Sequence, residues 1–116
     1  MSVTDDREQM IRAVFAAYLE GRKDIVGAML SDDFTFSSPR DDHIGREAYF
    51  DRCWPEPPAF RAIEIEYLTI SGDEAAIRYR AVKNDGSAFR NMESFRFKSG
   101  KIVSVDVYFG REANDR

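Results

Sequence analysis

Two short stretches of the chain gather side chains that could move a proton. Asp41, Asp42 and His43 set two carboxylates beside the sole histidine, and Asn91 and Glu93 place an amide and a carboxyl two positions apart. A histidine titrates near neutrality, and an adjacent carboxylate raises its pKa and orients its ring, so Asp42 and His43 read as a proton-transfer pair. The structural alternative is that aspartates following a proline fold back on the backbone and cap the next helix, which begins just after Gly45. For Asp41 the capping role is preferred; for His43 both readings stand. Cys53 is expected to be a buried structural thiol, because a nucleophile needs exposure and a positive neighbourhood. One cysteine and one histidine fall short of a zinc site, so no metal is expected, and no cofactor is implied.

The elements that must position these groups follow from hydrophobic spacing. Residues 5 to 20 carry Met10, Ile11, Val14, Phe15, Tyr18 and Leu19 at helical period, with Asp6 and Glu8 in the first turn and Gly21 as the stop. A second, shorter helix follows from about Asp24, with Ile25, Val26, Met29 and Leu30 on one stripe. Phe34 to Pro39 read as a short strand ended by proline, and the Asp-Asp-His segment as a loop. Arg46 to Trp54 read as a third helix with Tyr49, Phe50, Cys53 and Trp54 on one face, ended by the prolines of Pro55 to Pro58.

Four runs of period-2 alternation then cover 61 to 71, 74 to 83, 87 to 98 and 101 to 109, separated by turn signals. They predict an antiparallel meander with helices on one face, an α+β fold in a single domain spanning 1 to 116. In the third run Phe89, Asn91, Glu93, Phe95 and Phe97 share a face that must point inward, and in the last run Val103, Val105, Val107 and Phe109 do. A carboxyl at Glu93 on that apolar face either stays neutral with a raised pKa or needs a donor to keep it charged. It is therefore either a functional acid or a hydrogen-bonded lock of the core. Arg78, Arg80, Glu64 and Glu66 read as cross-strand charge pairs on the outer surface.

The formal charge of -4 is spread over interspersed signs, which argues against a nucleic-acid partner. No apolar run approaches the roughly 18 to 20 residues that span a bilayer. No membrane association is expected, and without a leader signature the default expectation is cytoplasmic.

The order of elements, the segment LSDDFTFSSP and the closing FRFKSGKIVSVDVYFG resemble the SnoaL-like branch of the NTF2-like superfamily. The resemblance implies a cone of three N-terminal helices packed on a curved, mostly antiparallel sheet. It also implies a scaffold shared by ketosteroid isomerases, polyketide cyclases, dehydratases, an epoxide hydrolase and non-catalytic binding modules. The isomerases set a carboxylate base against two oxyanion donors; by the resemblance, the base falls at Ser38 and the tyrosine donor at Phe15. The acidic donor falls at Glu93, and Val105 and Phe109 fall at pocket-lining positions.

The resemblance and the residues together predict a conical pocket for a small, mostly apolar molecule. Glu93 would be its buried polar contact, Asp42 and His43 would stand at its entrance, and Phe15, Trp54, Asn91, Phe95, Val105 and Phe109 would line it. Acid-base catalysis of an isomerase, cyclase, dehydratase or hydrolase type is the catalytic version. The alternative is a non-catalytic ligand-binding or dimerisation module whose cavity is filled by side chains. A homodimer is expected to bury the outer sheet face, through Met92 and Ile70.

Overall fold

A computed structural model of the chain describes residues 3–113. The first helix, α1 (Val3–Glu20), carries Asp5 and Asp6 in its first turn, where the helix dipole favours acids. It ends because Gly21 takes a left-handed conformation (φ 72°). Two backbone bonds close that end, from Arg22 N–H to the Ala17 carbonyl (2.8 Å) and from Gly21 N–H to the Tyr18 carbonyl (3.4 Å), the pairing of a Schellman cap. Helix α2 (Lys23–Met29) leads directly into strand β1 (Leu30–Ser38).

Pro39 and Arg40 turn the chain into strand β2 (Asp41–Gly45), so the Asp-Asp-His segment is an edge strand rather than the expected loop. Helix α3 (Arg46–Cys53) follows, then β3 (Phe60–Ser71), β4 (Glu74–Lys83), β5 (Ala88–Lys98) and β6 (Lys101–Glu112). The six strands form one sheet in the order β2-β1-β6-β5-β4-β3. All pairings are antiparallel except β1 with β6, which brings the first strand back beside the last.

The three helices cover the concave face of this open sheet. Ile11 and Phe15 of α1 are buried against it, the Phe15 ring lying 5.0 Å from Tyr79 of β4 and 6.3 Å from Phe95 of β5. The inward rows are Ala75, Ile77, Tyr79 and Ala81 on β4, and Phe89, Asn91, Glu93, Phe95 and Phe97 on β5. The β5 row is the one its alternation predicts, because β4 and β5 pair without interruption from Glu74↔Arg96 to Val82↔Ala88.

Elsewhere bulges insert a residue and reverse the alternation beyond it, bending the sheet toward the helices. In β6 the extra residue lies between the partners of Arg96 and Phe97, so Ile102 rather than Val103 continues the inward row of Val105 and Val107. In β3 an extra residue between Ile65 and Tyr67 turns Leu68 and Ile70 inward. Ile70 thus packs on the core, and the expectation that it helps form an outer contact face is corrected.

Outside, Glu66 pairs with Arg78 (3.4 Å) and Arg90 (2.8 Å), and Glu64 with Arg80 (3.7 Å), as cross-strand charges. Arg80 is nonetheless buried, because the backbone at Ala113 folds over it and its carbonyl accepts from Arg80 Nε (3.1 Å). Among the described residues no helix is long and apolar enough to cross a membrane.

Candidate functional site

Between the helices and the concave sheet lies an open cavity of about 630 Å³. Its wall is mainly apolar: Phe15 from α1, Phe34 and Phe36 from β1, Phe95 from β5, Val105 and Val107 from β6. The space is open, as the expected conical pocket requires, and the alternative of a cavity filled by Phe and Trp side chains does not fit it. Trp54 lies just past the end of α3, in extended backbone conformation, and is buried edge-on to Tyr18 (5.1 Å) instead of lining the space.

Two polar clusters interrupt this wall. At the first, Tyr79 and Glu93 project inward from neighbouring strands, and the Tyr79 hydroxyl donates to Glu93 Oε2 at 2.6 Å. Asn91 Nδ2 donates to the same hydroxyl oxygen (3.2 Å), and Asn91 Oδ1 accepts from the Gly110 backbone N–H (3.1 Å). One continuous chain of donors thus runs from the β6 backbone to the carboxyl. Gly110 is required for it, since a Cβ there would sit 2.0 Å from the Arg90 carbonyl oxygen.

Glu93 keeps partial exposure toward the cavity, yet the surrounding protein removes enough water that desolvation raises its pKa to about 7, against the lowering effect of the Tyr79 bond. Burial, then the nearby Glu93 charge, pushes the Tyr18 hydroxyl to about 12 and the Tyr79 hydroxyl higher still.

The second cluster is built by the β1–β2 hairpin and α3. Asp41 pairs with Ser38 across the turn, and both line the cavity. The Asp41 side chain is only 8% exposed; Arg52 Nη2 lies 2.6 Å from its Oδ1, and Cys53 Sγ lies 3.7 Å from its Oδ2. The Arg52 contact neutralises charge without hydrogen-bond geometry, leaving Oδ1 buried with no directed donor. Asp41 is therefore a cavity residue, and the expectation that it caps a turn is corrected. The Cys53 thiol is pushed up to about 11, first by burial and then by Asp41, which suits an inert structural thiol.

Asp42 and His43 go the other way. A bulge places both opposite Ser37, with His43 in a left-handed conformation (φ 52°), so Asp41 and Ile44 point inward while their neighbours do not. The His43 ring and the Asp42 carboxylate meet each other at 2.6 Å in solvent, 72% and 90% exposed. The structure brings together Glu93, Asn91, Phe15, Phe95, Val105 and Phe109, and leaves Trp54, Asp42 and His43 outside the cavity wall. Sequence reasoning missed Tyr79 and Arg52 as site residues. Tyr79 carries a legible signal, the alternation of Ala75, Ile77, Tyr79 and Ala81; Arg52 carries none.

The SnoaL-like domain model matches residues 11–105. The chain belongs to the SnoaL-like domain family. No protein of curated function matches it. In structure this SnoaL-like domain is similar to an NTF2-like protein of unknown function from Burkholderia xenovorans, with TM-score 0.80 and 20% identity over 93% of this chain and 85% of that one. It is also similar to AclR, described as a putative hydroxylase from Streptomyces galilaeus (0.77, 17%, 94% and 91%). A third likeness is to an epoxide hydrolase from M. tuberculosis (0.73, 15%, 90% and 83%). At these identities the likeness shows the NTF2-like fold alone.

Proposed function

We propose that this SnoaL-like domain binds a small, mostly apolar molecule in its cone, with a carbonyl or hydroxyl group set against Glu93, and that Glu93 exchanges a proton with it. The observation that carries the reading is the open, apolar cavity of about 630 Å³ into which Glu93 projects with a pKa near 7. A volume of this order suits a ligand-sized guest. A carboxyl near that pKa populates both protonation states at neutral pH, the condition under which a side chain serves as general acid and general base. Asp41, held by Arg52, supplies a second polar contact on the hairpin side. Asp42 and His43 take no part in this reading, since they lie outside the wall.

The test needs no knowledge of the natural ligand. Tetralone, an apolar bicyclic ketone, is incubated with the protein in D₂O, and exchange at the carbon beside the carbonyl is followed by NMR. Exchange is expected to accelerate with wild type and to lose the acceleration with Glu93→Gln, while fluorescence titration with naphthol shows saturable binding. Binding without exchange would favour the non-catalytic carrier, and absence of both would remove the reading. We further propose a two-fold dimer through the outer face around Met92 and Tyr108, which are cross-strand partners there.

A further inference from the structure

We propose that the guest is an apolar carboxylic acid, held with its anionic head at the rim of the cone between Arg40 and Lys83 and its apolar body inside. This deepens the reading above and rests on it.

The end of the sheet where β1 and β6 finish and β5 begins forms the rim. Arg40 follows β1 in the hairpin turn, Lys83 ends β4, and both line the cavity. Each cation sits over an aromatic ring that also lines it: Arg40 over Phe109 (5.7 Å) and Lys83 over Phe89 (5.7 Å). Neither forms an ion pair within 4.0 Å with an acid among the described residues, although the protein carries more acids than bases. The charge of Lys83 helps to lower the pKa of Asp85 in the β4–β5 turn, a smaller cause there than the hydrogen bonds from Ser87.

Each ring offers its cation a contact at the rim, and half of Phe109 remains exposed beside Arg40. Deeper in, the charges do not invite an anion: Arg52 is already matched by Asp41, and Glu93 is itself an acid. The cavity therefore has an apolar, acid-bearing interior and a basic aromatic rim. A carboxylate entering head-first would meet Glu93, whereas one held at the rim meets a guanidinium and an ammonium that no acid among the described residues holds in an ion pair. An Arg accepts a carboxylate in bidentate fashion, and a Lys adds a point charge.

Naphthaleneacetate and its reduced counterpart naphthaleneethanol, equal in apolar body and different only in charge, are titrated by fluorescence into wild type and into Arg40→Gln/Lys83→Gln. Wild type is expected to favour the acid over the alcohol by about tenfold at low ionic strength, the scale set by two solvent-screened ion pairs. That preference should shrink as salt is added and fall to about one in the double variant. If the alcohol binds and the acid binds no better, or if the preference survives in the double variant, the rim assignment is overturned while the cavity reading stands. If neither compound binds, the cavity reading falls and takes this proposal with it.

Discussion

Glu93 decides the behaviour of the cavity because its carboxyl is both desolvated and hydrogen-bonded. In the unfolded chain it titrates near 4.5, and in the fold near 7. Between those values the unfolded state is ionised while the folded state keeps a proton, so the stabilisation associated with this group is full below about 4.5 and is lost as pH rises through about 7. Its size is on the order of 2 kcal/mol, allowing for the water that reaches the carboxyl through the cavity. Urea unfolding of wild type should show stability declining across that window, and Glu93→Gln, which carries no titrating proton, should flatten the decline. An unchanged slope in the variant would place the carboxyl's pKa near its ordinary value. Tyr79→Phe removes the donor that holds the Glu93 pKa down, so a ¹³C NMR titration should find the carboxyl titrating above its wild-type midpoint. The lost bond should cost about 1 kcal/mol of stability.

The errors of sequence reading about strand faces share one cause at the level of elements. On β5 no residue is inserted, and the face bearing Asn91, Glu93 and Phe95 could be read directly from alternation. On β3 and β6 an inserted residue flips every side chain beyond it, which misplaces Ile70 and Val103; on β2, expected as a loop, a bulge turns Asp42 and His43 outward. Residue types alone do not mark such insertions, because the extra residue is set by pairing with a strand distant in sequence. Trp54 escaped for another reason: the helix ends one residue before it and the chain straightens. The β2 bulge has its own test. His43→Gly relieves a left-handed residue and should be neutral or stabilising by up to about 1 kcal/mol, with naphthol affinity unchanged, whereas Asp41→Asn should weaken that affinity. A loss of binding in the histidine variant would contradict the outward placement of the ring. On β6, Gly110→Ala must push the strand off the Arg90 carbonyl and break the contact to Asn91, a destabilisation on the order of 2 kcal/mol measurable by thermal unfolding.

For the whole molecule, the order of the helices and of the four-stranded meander was legible because each is signalled locally, by helical spacing, by Gly21 and by the turn residues of the meander, whereas the β1–β2 hairpin was not. A conical pocket was expected, but whether it stands open or is filled by side chains was not legible, since that depends on how far the bulged sheet curves away from α1. The outer surface carries Met92 opposite Tyr108, the latter 62% exposed, amid the Glu66, Arg78 and Arg90 charges. Light scattering is expected to return twice the chain mass of 13.3 kDa, and Tyr108→Lys to return the single mass. A monomer for wild type at micromolar concentration would leave those side chains as ordinary surface.

The donor chain from Gly110 through Asn91 and Tyr79 to Glu93 runs in one direction only. A backbone N–H can only give, Asn91 Nδ2 can only give, and the single Tyr79 proton is committed to Oε2. Any proton that Glu93 acquires must then reside on Oε1, which has no partner among the described residues and is left to the cavity. The pocket consequently reverses its polarity with pH: below about 7 it presents a donor to its guest, and above that value an acceptor. A ketone should be retained more tightly on the acid side and an alcohol on the alkaline side, from one unmoving side chain. Titrating tetralone and naphthaleneethanol across that range would expose the crossover, and Glu93→Gln should abolish it.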